Sequence, residues 1–463
     1  MHKFMGIREI YFSLPIEVQE LLVSLYSFKL ERQRFGKQFE EIYANLLESD
    51  MWSAEKIRMY KEENTFQIIE HAFKHCPYYK QKYQAFGLTP SSFTCLEDLQ
   101  KFPILTKDEI RDNLYGMLAD NISKRKLVAY HTSGSTGKAL NFFNTTRSLQ
   151  FYWAVCARYK HRFGVERKNL HLNFTGKLVV PFNQIKPPYW RFKKAQNQYM
   201  LNMQHITREK IYDIVNFINS KDFKFFVGYP SIINSFAVYA NEIGMKFYGK
   251  PKYIFSSAEK MYDIQREMIL KVFPDSKIIE HYGFSENASS ASKCVNNVYH
   301  EDFELGHLEL KDAVNHTDEA TGVLLATGFH NLGMPFLRYE IGDTATFSNM
   351  SCKCGRHSQV ITDIEGRNED YIVTPEGTRI MRFDYVFKGT TDIKECQVVQ
   401  RKLGNVVVRI VKNDNYRIST EKMIENSIHE LISPRLCVEF EYPSSIERTK
   451  AGKFRAVVSE LNK

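Results

Sequence analysis

His131-Thr132-Ser133-Gly134-Ser135-Thr136-Gly137-Lys138 alternates hydroxyls and glycines ahead of a single cation. Backbone N–H groups and side-chain hydroxyls in such a stretch can wrap phosphate oxygens, and glycine removes the Cβ that would block close approach. A Walker A loop is excluded, because that loop places four residues between its glycines and a Ser or Thr after its Lys. Here two residues separate Gly134 from Gly137, and Ala139 follows Lys138. The stretch reads either as a phosphate cradle or as a polar turn between Val128-Ala129-Tyr130 and Leu140-Asn141-Phe142-Phe143.

Four later segments decide between the two. His281-Tyr282-Gly283-Phe284-Ser285-Glu286 follows Lys277-Ile278-Ile279, and Arg338-Tyr339-Glu340-Ile341-Gly342-Asp343 comes next. Gly366-Arg367-Asn368-Glu369-Asp370 and Glu447-Arg448-Thr449-Lys450-Ala451-Gly452-Lys453-Phe454-Arg455 complete the series. In this order the five segments resemble the adenylate-forming superfamily of acyl-CoA ligases, peptide-synthetase adenylation domains and luciferases. Within it the chain resembles the phenylacetate-CoA ligase group and its capsular-polysaccharide relatives of the CapK type. The likeness runs from about Leu14 to Arg455, nearly the whole chain.

The texture of the chain agrees with that resemblance. From about residue 125 short apolar runs alternate with helical stretches: Phe223 to Gly228 and Lys252 to Ser256 read as strands, Ser231 to Ile243 and Met261 to Val272 as helices. Such alternation predicts an α/β fold with helix-covered β-sheets, in which ligands gather where strands end. After Ile364-Glu365-Gly366-Arg367 a small α+β unit follows, with strands near Tyr371, Glu395, Val406 and Val438 and a helix from Thr420 to Ile432. The expected domains are therefore 1–365, a large N-terminal adenylate-forming lobe with an N-terminal helical segment, and 366–463, a small C-terminal domain. The resemblance makes the small domain mobile and residues 366–370 its hinge.

At the N-terminus, Val18, Leu21, Leu22 and Leu25 are spaced as one stripe of a helix that opens at Leu14-Pro15. The stripe is expected to pack on the protein's own body rather than on a membrane or partner.

With 463 residues the chain exceeds the size of a single core. Its 63 basic and 54 acidic residues leave a net charge of +9, a mild excess that favours polyanions such as ATP or coenzyme A. Nucleic acid is not an expected partner, since no concentrated basic stripe or known module is present. Lys124-Arg125-Lys126 and Arg191-Phe192-Lys193-Lys194 are the densest basic clusters, and both read as solvated surface. No apolar run is long enough to cross a membrane and no signal-peptide pattern opens the chain, so a cytoplasmic location is expected. Eight cysteines in this length do not make a disulfide scaffold.

The resemblance implies ATP-dependent adenylation of a small-molecule carboxylic acid, followed by acyl transfer. Both reactants are anions, so the protein must supply positive charge and orientation. Carried over residue by residue, Ser133, Gly134, Ser135, Thr136, Gly137 and Lys138 hold the departing phosphates, and Lys453 is the catalytic cation. Ser257, Ala258 and Glu259 form the adenine-side loop, with His281, Tyr282, Gly283 and Ser285 beside it. Glu286 matches the Mg²⁺ position, where a hard carboxylate oxygen suits the ion. Asp343 and Arg367 approach the ribose. Asn173-Phe174-Thr175 and Gly228-Tyr229-Pro230 are expected to wall the acyl pocket.

The chain departs from the family pattern at Ala139, at Glu340-Ile341 and at Glu369, which leaves substrate range, nucleotide affinity and hinge behaviour open. The acceptor is coenzyme A or, following the capsule-associated relatives, an amine or hydroxyl on a sugar. A nucleotide-binding pseudoenzyme is the alternative outside catalysis, and the presence of Lys453, Glu286 and Asp343 argues against it.

Cys352-Lys353-Cys354-Gly355-Arg356 is a second chemical signal, with Cys294 and His300 upstream. Three thiols and an imidazole form a set suited to structural Zn²⁺, although C-x-C pairs also occur as free thiols. His307, His330 and His357 are alternative nitrogens.

Overall fold

The computed structural model describes residues 7–131, 140–365, 371–377, 379–380, 383, 386–387, 392–412, 416–447 and 457–461. Six helices lead: α1 (Ile7–Ser13), α2 (Ile16–Arg34), α3 (Phe39–Ser49), α4 (Ala54–His75), α5 (Pro77–Ala85) and α6 (Lys107–Asp112). A hairpin of β1 (Leu127–His131) and β2 (Asn141–Thr145) follows, then α7 (Thr146–His161). Thr145 starts α7 cleanly, its hydroxyl accepting from the Ser148 N–H at 3.1 Å.

The central run is β3 (His171–Thr175), β4 (Trp190–Lys193), β5 (Gln198–Asn202), α8 (Ile211–Asn219), β6 (Phe225–Gly228), α9 (Pro230–Glu242), β7 (Tyr253–Ser257), α10 (Asp263–Val272) and β8 (Lys277–Gly283). An antiparallel run continues it: β9 (Ser290–Lys293), β10 (Tyr299–Glu301), β11 (Gly306–Asn315), β12 (Glu319–Gly328), β13 (Tyr339–Ser348) and β14 (Val360–Glu365).

These strands do not form separate sheets. They make one twelve-stranded sheet in the order β11-β12-β13-β14-β10-β9-β8-β7-β6-β3-β5-β4. The strands β5, β3, β6, β7 and β8 are mutually parallel, and pairing turns antiparallel at β9. Parallel strands covered on both faces need apolar residues at successive positions. Phe225-Phe226 and Ile278-Ile279 satisfy this: Phe226 and Ile278 join the core under α8–α10, while Phe225 and Ile279 lie with Tyr159 of α7.

The C-terminal strands are β15 (Ile372–Val373), β16 (Arg379–Ile380), β17 (Ile393–Lys402), β18 (Asn405–Lys412), then α11 (Ile418–Leu431), β19 (Cys437–Glu441) and β20 (Val457–Ser459). A four-stranded sheet, β19-β18-β17-β20, packs Val398, Val408 and Ile410 against Ile424 and Ile428 of α11. It touches the larger body where Tyr239 donates to the Glu376 carbonyl at 2.8 Å and Gln204 to that of Leu431 at 2.9 Å. The expected hinge, 366–370, lies outside the described residues.

Two surface expectations are corrected. The stripe of α2 faces out: Leu21 and Leu25 are each 56% exposed, and the buried face carries Gln19, Ser27 and Leu30. The reason is polar docking onto β4, where Ser24 donates to the Phe192 carbonyl and Arg191 to the Gln19 amide oxygen. Correspondingly, Arg191 and Lys193 are buried rather than solvated.

Candidate active site and cysteine–histidine cluster

β7 and β8 run side by side with Ser257 opposite His281, and β8 continues two residues further to Gly283. Beyond Ser257 the chain turns sharply through Ala258, whose φ is 71°. Glu259 then reaches α9, accepting from the Ser231 N–H at 3.2 Å, so its carboxylate is engaged with a helix start. Alternation along β8 sends His281 and Tyr282 to opposite faces. His281 is buried beneath α7, with Tyr159 at 5.3 Å between ring centroids; burial, opposed by Asp302, holds its pKa down at about 4. Tyr282 points the other way and donates to Asp343 Oδ2 at 2.7 Å.

A second tyrosine–carboxylate pair lies beside the first. Glu286 is buried and accepts from the Tyr339 hydroxyl at 2.5 Å, while Ser285 is exposed. Tyr339 and Asp343 both belong to β13, which pairs with β14 only from Thr344 onward. Its first five residues are thus placed against the 282–286 segment. Among the described residues, neither Glu286 nor Asp343 has an ion-pair partner, whereas the neighbouring Glu340 pairs with Lys311 at 2.8 Å.

The predicted pocket walls are partly corrected. Asn173 and Thr175 share one face of β3, but Phe174 faces the other side, packed between Phe226 and Phe236. Gly228 lies against it: a Cβ there would fall 2.7 Å from Phe174 Cβ. Residues 133–138, Arg367 and Lys453 lie outside the described residues, although their flanks are placed, His131 pairing with Asn141.

Cys294 follows β9, His300 lies on β10, and Cys352 and Cys354 sit between β13 and β14. Pairing of β10 with both β9 and β14 gathers them, and the four donor atoms lie within 4.8 Å of one another. Cys294 Sγ is 3.7 Å from Cys352 Sγ, and Cys354 Sγ is 3.3 Å from His300 Nε2. Tetrahedral zinc, with Zn–S near 2.3 Å, would put two sulfurs about 3.8 Å apart. Burial, aided by Arg356, lowers the His300 pKa to about 4, leaving the neutral imidazole that a metal needs. The alternative nitrogens are elsewhere: His307 faces Glu301, His330 stacks on Phe151, and His357 is exposed.

Sequence reasoning missed Tyr339 as the partner of Glu286. The signal was available, since Tyr339 stands inside the Arg338-to-Asp343 segment. It also missed a buried ionic node in which Arg158 bonds Glu304 and, at 3.1 Å, Asp302, while Arg162 bonds Asp50. No local spacing announces pairs separated by more than a hundred residues.

Comparison with known proteins agrees with this fold. Residues 372–460 match the family model of the CapK C-terminal domain. Protein CapK of Staphylococcus aureus is 26% identical over 458 residues, covering 98% of this chain and 99% of that protein. A phenylacetate-coenzyme A ligase of Thermus thermophilus is 22% identical, covering 87% and 96%. Among solved structures, 2-hydroxyisobutyryl-CoA ligase in complex with 2-HIB-AMP and CoA superposes with a TM-score of 0.59 at 17% identity, covering 89% of this chain and 91% of that one. The fold is that of the adenylate-forming ligases. Residues 372–460 belong to the CapK C-terminal domain family, and over nearly its whole length the chain is similar to CapK and to phenylacetate-CoA ligases.

Proposed function

We propose that the chain adenylates a carboxylic acid with ATP and then transfers the acyl group to an acceptor. The observation that carries this reading is the convergence of Tyr282–Asp343 and Tyr339–Glu286 where the parallel strands end and the sheet turns antiparallel. Open α/β sheets bind ligands outside the carboxyl ends of their parallel strands. In this reading Tyr282 orients Asp343 to accept from the ribose hydroxyls. Tyr339 occupies one oxygen of Glu286 and fixes the carboxylate that would hold Mg²⁺, the ion that would offset phosphate charge.

Residues 133–138 would hold the leaving phosphates, Arg367 the ribose, and Lys453 would arrive with the small C-terminal domain to steady the acid against the α-phosphate. Cys294, His300, Cys352 and Cys354 would hold a structural zinc ion that ties the β9–β10 hairpin to the loop before β14. Coenzyme A is the favoured acceptor; the full-length likeness to CapK supports a sugar amine or hydroxyl as the second reading.

The test is ATP–pyrophosphate exchange across a panel of carboxylic acids. With the best acid, Lys453→Ala should lower exchange on the order of 10²–10³-fold while nucleotide binding persists. Exchange at the parental rate would show that Lys453 is misassigned. Offering coenzyme A and amino sugars separately to the preformed adenylate, with mass spectrometry of the products, decides the acceptor.

A further inference from the structure

β4 carries two inward-facing cations that are treated very differently. Arg191 is satisfied by neutral acceptors: Gln19 Oε1 at 2.6 Å, Gln184 Oε1 at 2.9 Å and the carbonyls of Pro188 and Trp190. Lys193, only 7% exposed, makes no hydrogen bond or ion pair among the described residues. Strand register places Lys193 beside Gln198, Gln198 beside His171, and His171 beside Phe225. Register partners share a face, so these side chains form one row beneath α7.

Lys160 of α7 comes down onto that row, its Nζ 5.9 Å from the Phe225 ring centroid and 6.0 Å from that of Phe255. No carboxylate pairs with it among the described residues. A third cation, Arg34, lies over the Trp153 ring at 4.1 Å. The charged groups facing Lys193 are Lys177 and Arg34, those facing His171 are Lys160 and Lys193, and the groups facing Arg34 are tyrosines and Cys156. None is acidic. Burial lowers the pKa of Lys160 and, with Lys177 and Arg34 nearby, takes that of Lys193 to about 8. A cation largely withdrawn from water is costly without a counter-charge, and none is present here among the described residues.

A line of side chains leads from this row toward the strand ends. Tyr152, Cys156 and Lys160 are spaced four apart and share one side of α7. The Tyr152 hydroxyl lies 3.3 Å from where a Cβ on Gly283 would be, at the strand ends, whereas Lys160 lies over Phe225. Phe225 pairs with Tyr253, four residues before Ser257, so the row is roughly 13 Å below the strand ends at about 3.3 Å per residue. Asn173 and Val227 between the two levels, like Tyr152, Cys156 and Lys160, are only half-buried although they face inward. A ligand entering between α7 and the sheet would cover these positions.

We propose that the acid bound by this chain carries a second anionic group at its far end, received by Lys160 and Lys193 with Arg34 beside them. The inference rests on the adenylation reading for the near end of that acid. The probes are unbranched monocarboxylates, dicarboxylates and ω-phosphorylated carboxylates of matched length. Each is offered to the full chain in ATP–pyrophosphate exchange and, without ATP, in titration calorimetry. At one length a dianionic acid should exceed its monocarboxylate on the order of 10²-fold in kcat/KM. Lys193→Met and Lys160→Met should each collapse that ratio, and Lys193→Arg should restore part of it, whereas a merely structural effect would lower both acids equally.

Monocarboxylates matching or exceeding the dianions at every length would overturn the proposal and leave adenylation standing. Binding of dianions that Lys193→Met abolishes, with no exchange for any acid, would support the anion site and reject adenylation. Absence of any preference in both assays overturns the proposal. A preference for the carboxylate or the phosphate arm identifies the anion.

Discussion

Two sets of buried and half-buried carboxylates lie on either side of β8 to β10, and they are balanced differently. Asp302 and Glu304 share Arg158, Asp50 has Arg162, and Glu301 has Lys61 at 2.8 Å. Glu286 and Asp343, by contrast, are held by tyrosine hydroxyls, with no cation paired to them among the described residues. The first set is electrically closed by the chain itself and serves as framework. The second keeps its charge oriented but uncompensated, which is the condition for meeting ligand hydroxyls or a metal ion. Lys160 and Lys193 are the cationic version of the second case.

The sharpest way to break the comparison is to open the closed set. Arg158→Met should leave Asp302 and Glu304 buried without their cation and cost about 3–5 kcal/mol in urea unfolding. A loss below about 1 kcal/mol would mean that the node is not framework. Next comes the cluster of Cys294, His300, Cys352 and Cys354. Purified protein should contain about one zinc per chain by elemental analysis, contributing about 4 kcal/mol when free metal exceeds its Kd a thousandfold. Cys352→Ser/Cys354→Ser should lose metal and Tm together; metal-free protein of full stability would remove the zinc assignment.

A slightly smaller effect belongs to pH. Burial alone would raise the Glu301 carboxyl, but the Lys61 ammonium, helped by His307, holds it at about 2. Because the folded pKa lies below the unfolded one, this stability is complete above the ordinary carboxylate range near 4.3 and is lost as pH falls toward 2. The contribution is about 3 kcal/mol, and Lys61→Met should flatten the acid limb of unfolding free energy against pH. The smallest effect tests the open set: Tyr339→Phe removes a hydrogen bond to a carboxylate worth about 1.5 kcal/mol, or about tenfold in exchange rate. It should also raise the Mg²⁺ concentration needed for half-maximal rate, with little change in Tm.

Much of this was legible before any coordinates. Short apolar runs at Phe225-Phe226 and Ile278-Ile279, each ending in a glycine-bearing segment, announce parallel strands with ligand loops, and the Cys294, His300, Cys352 and Cys354 set is gathered as its residue types suggest. What was illegible depends on which strands meet. One continuous sheet instead of several follows from β9 joining β8 to β10, a register no periodicity encodes. Burial of Lys193 and exposure of Leu21 and Leu25 have a common origin in the docking of α2 on β4 through Gln19 and Ser24. A helix read alone shows its apolar stripe but not which face its neighbour will take.

Arg158 also says something about how the chain assembles. Its guanidinium bonds the Leu46 carbonyl, Asp302 and Glu304, contacts spanning 112, 144 and 146 residues. Each such closure must lose loop entropy before any contact rewards it, so the node cannot nucleate folding and forms only after α3, α7 and the strands flanking residue 302 have met. Until then one cation and two carboxylates remain hydrated on separate, half-built surfaces. Arg158→Met should therefore speed unfolding far more than it slows refolding, a low-φ signature placing this ionic centre among the last parts to lock.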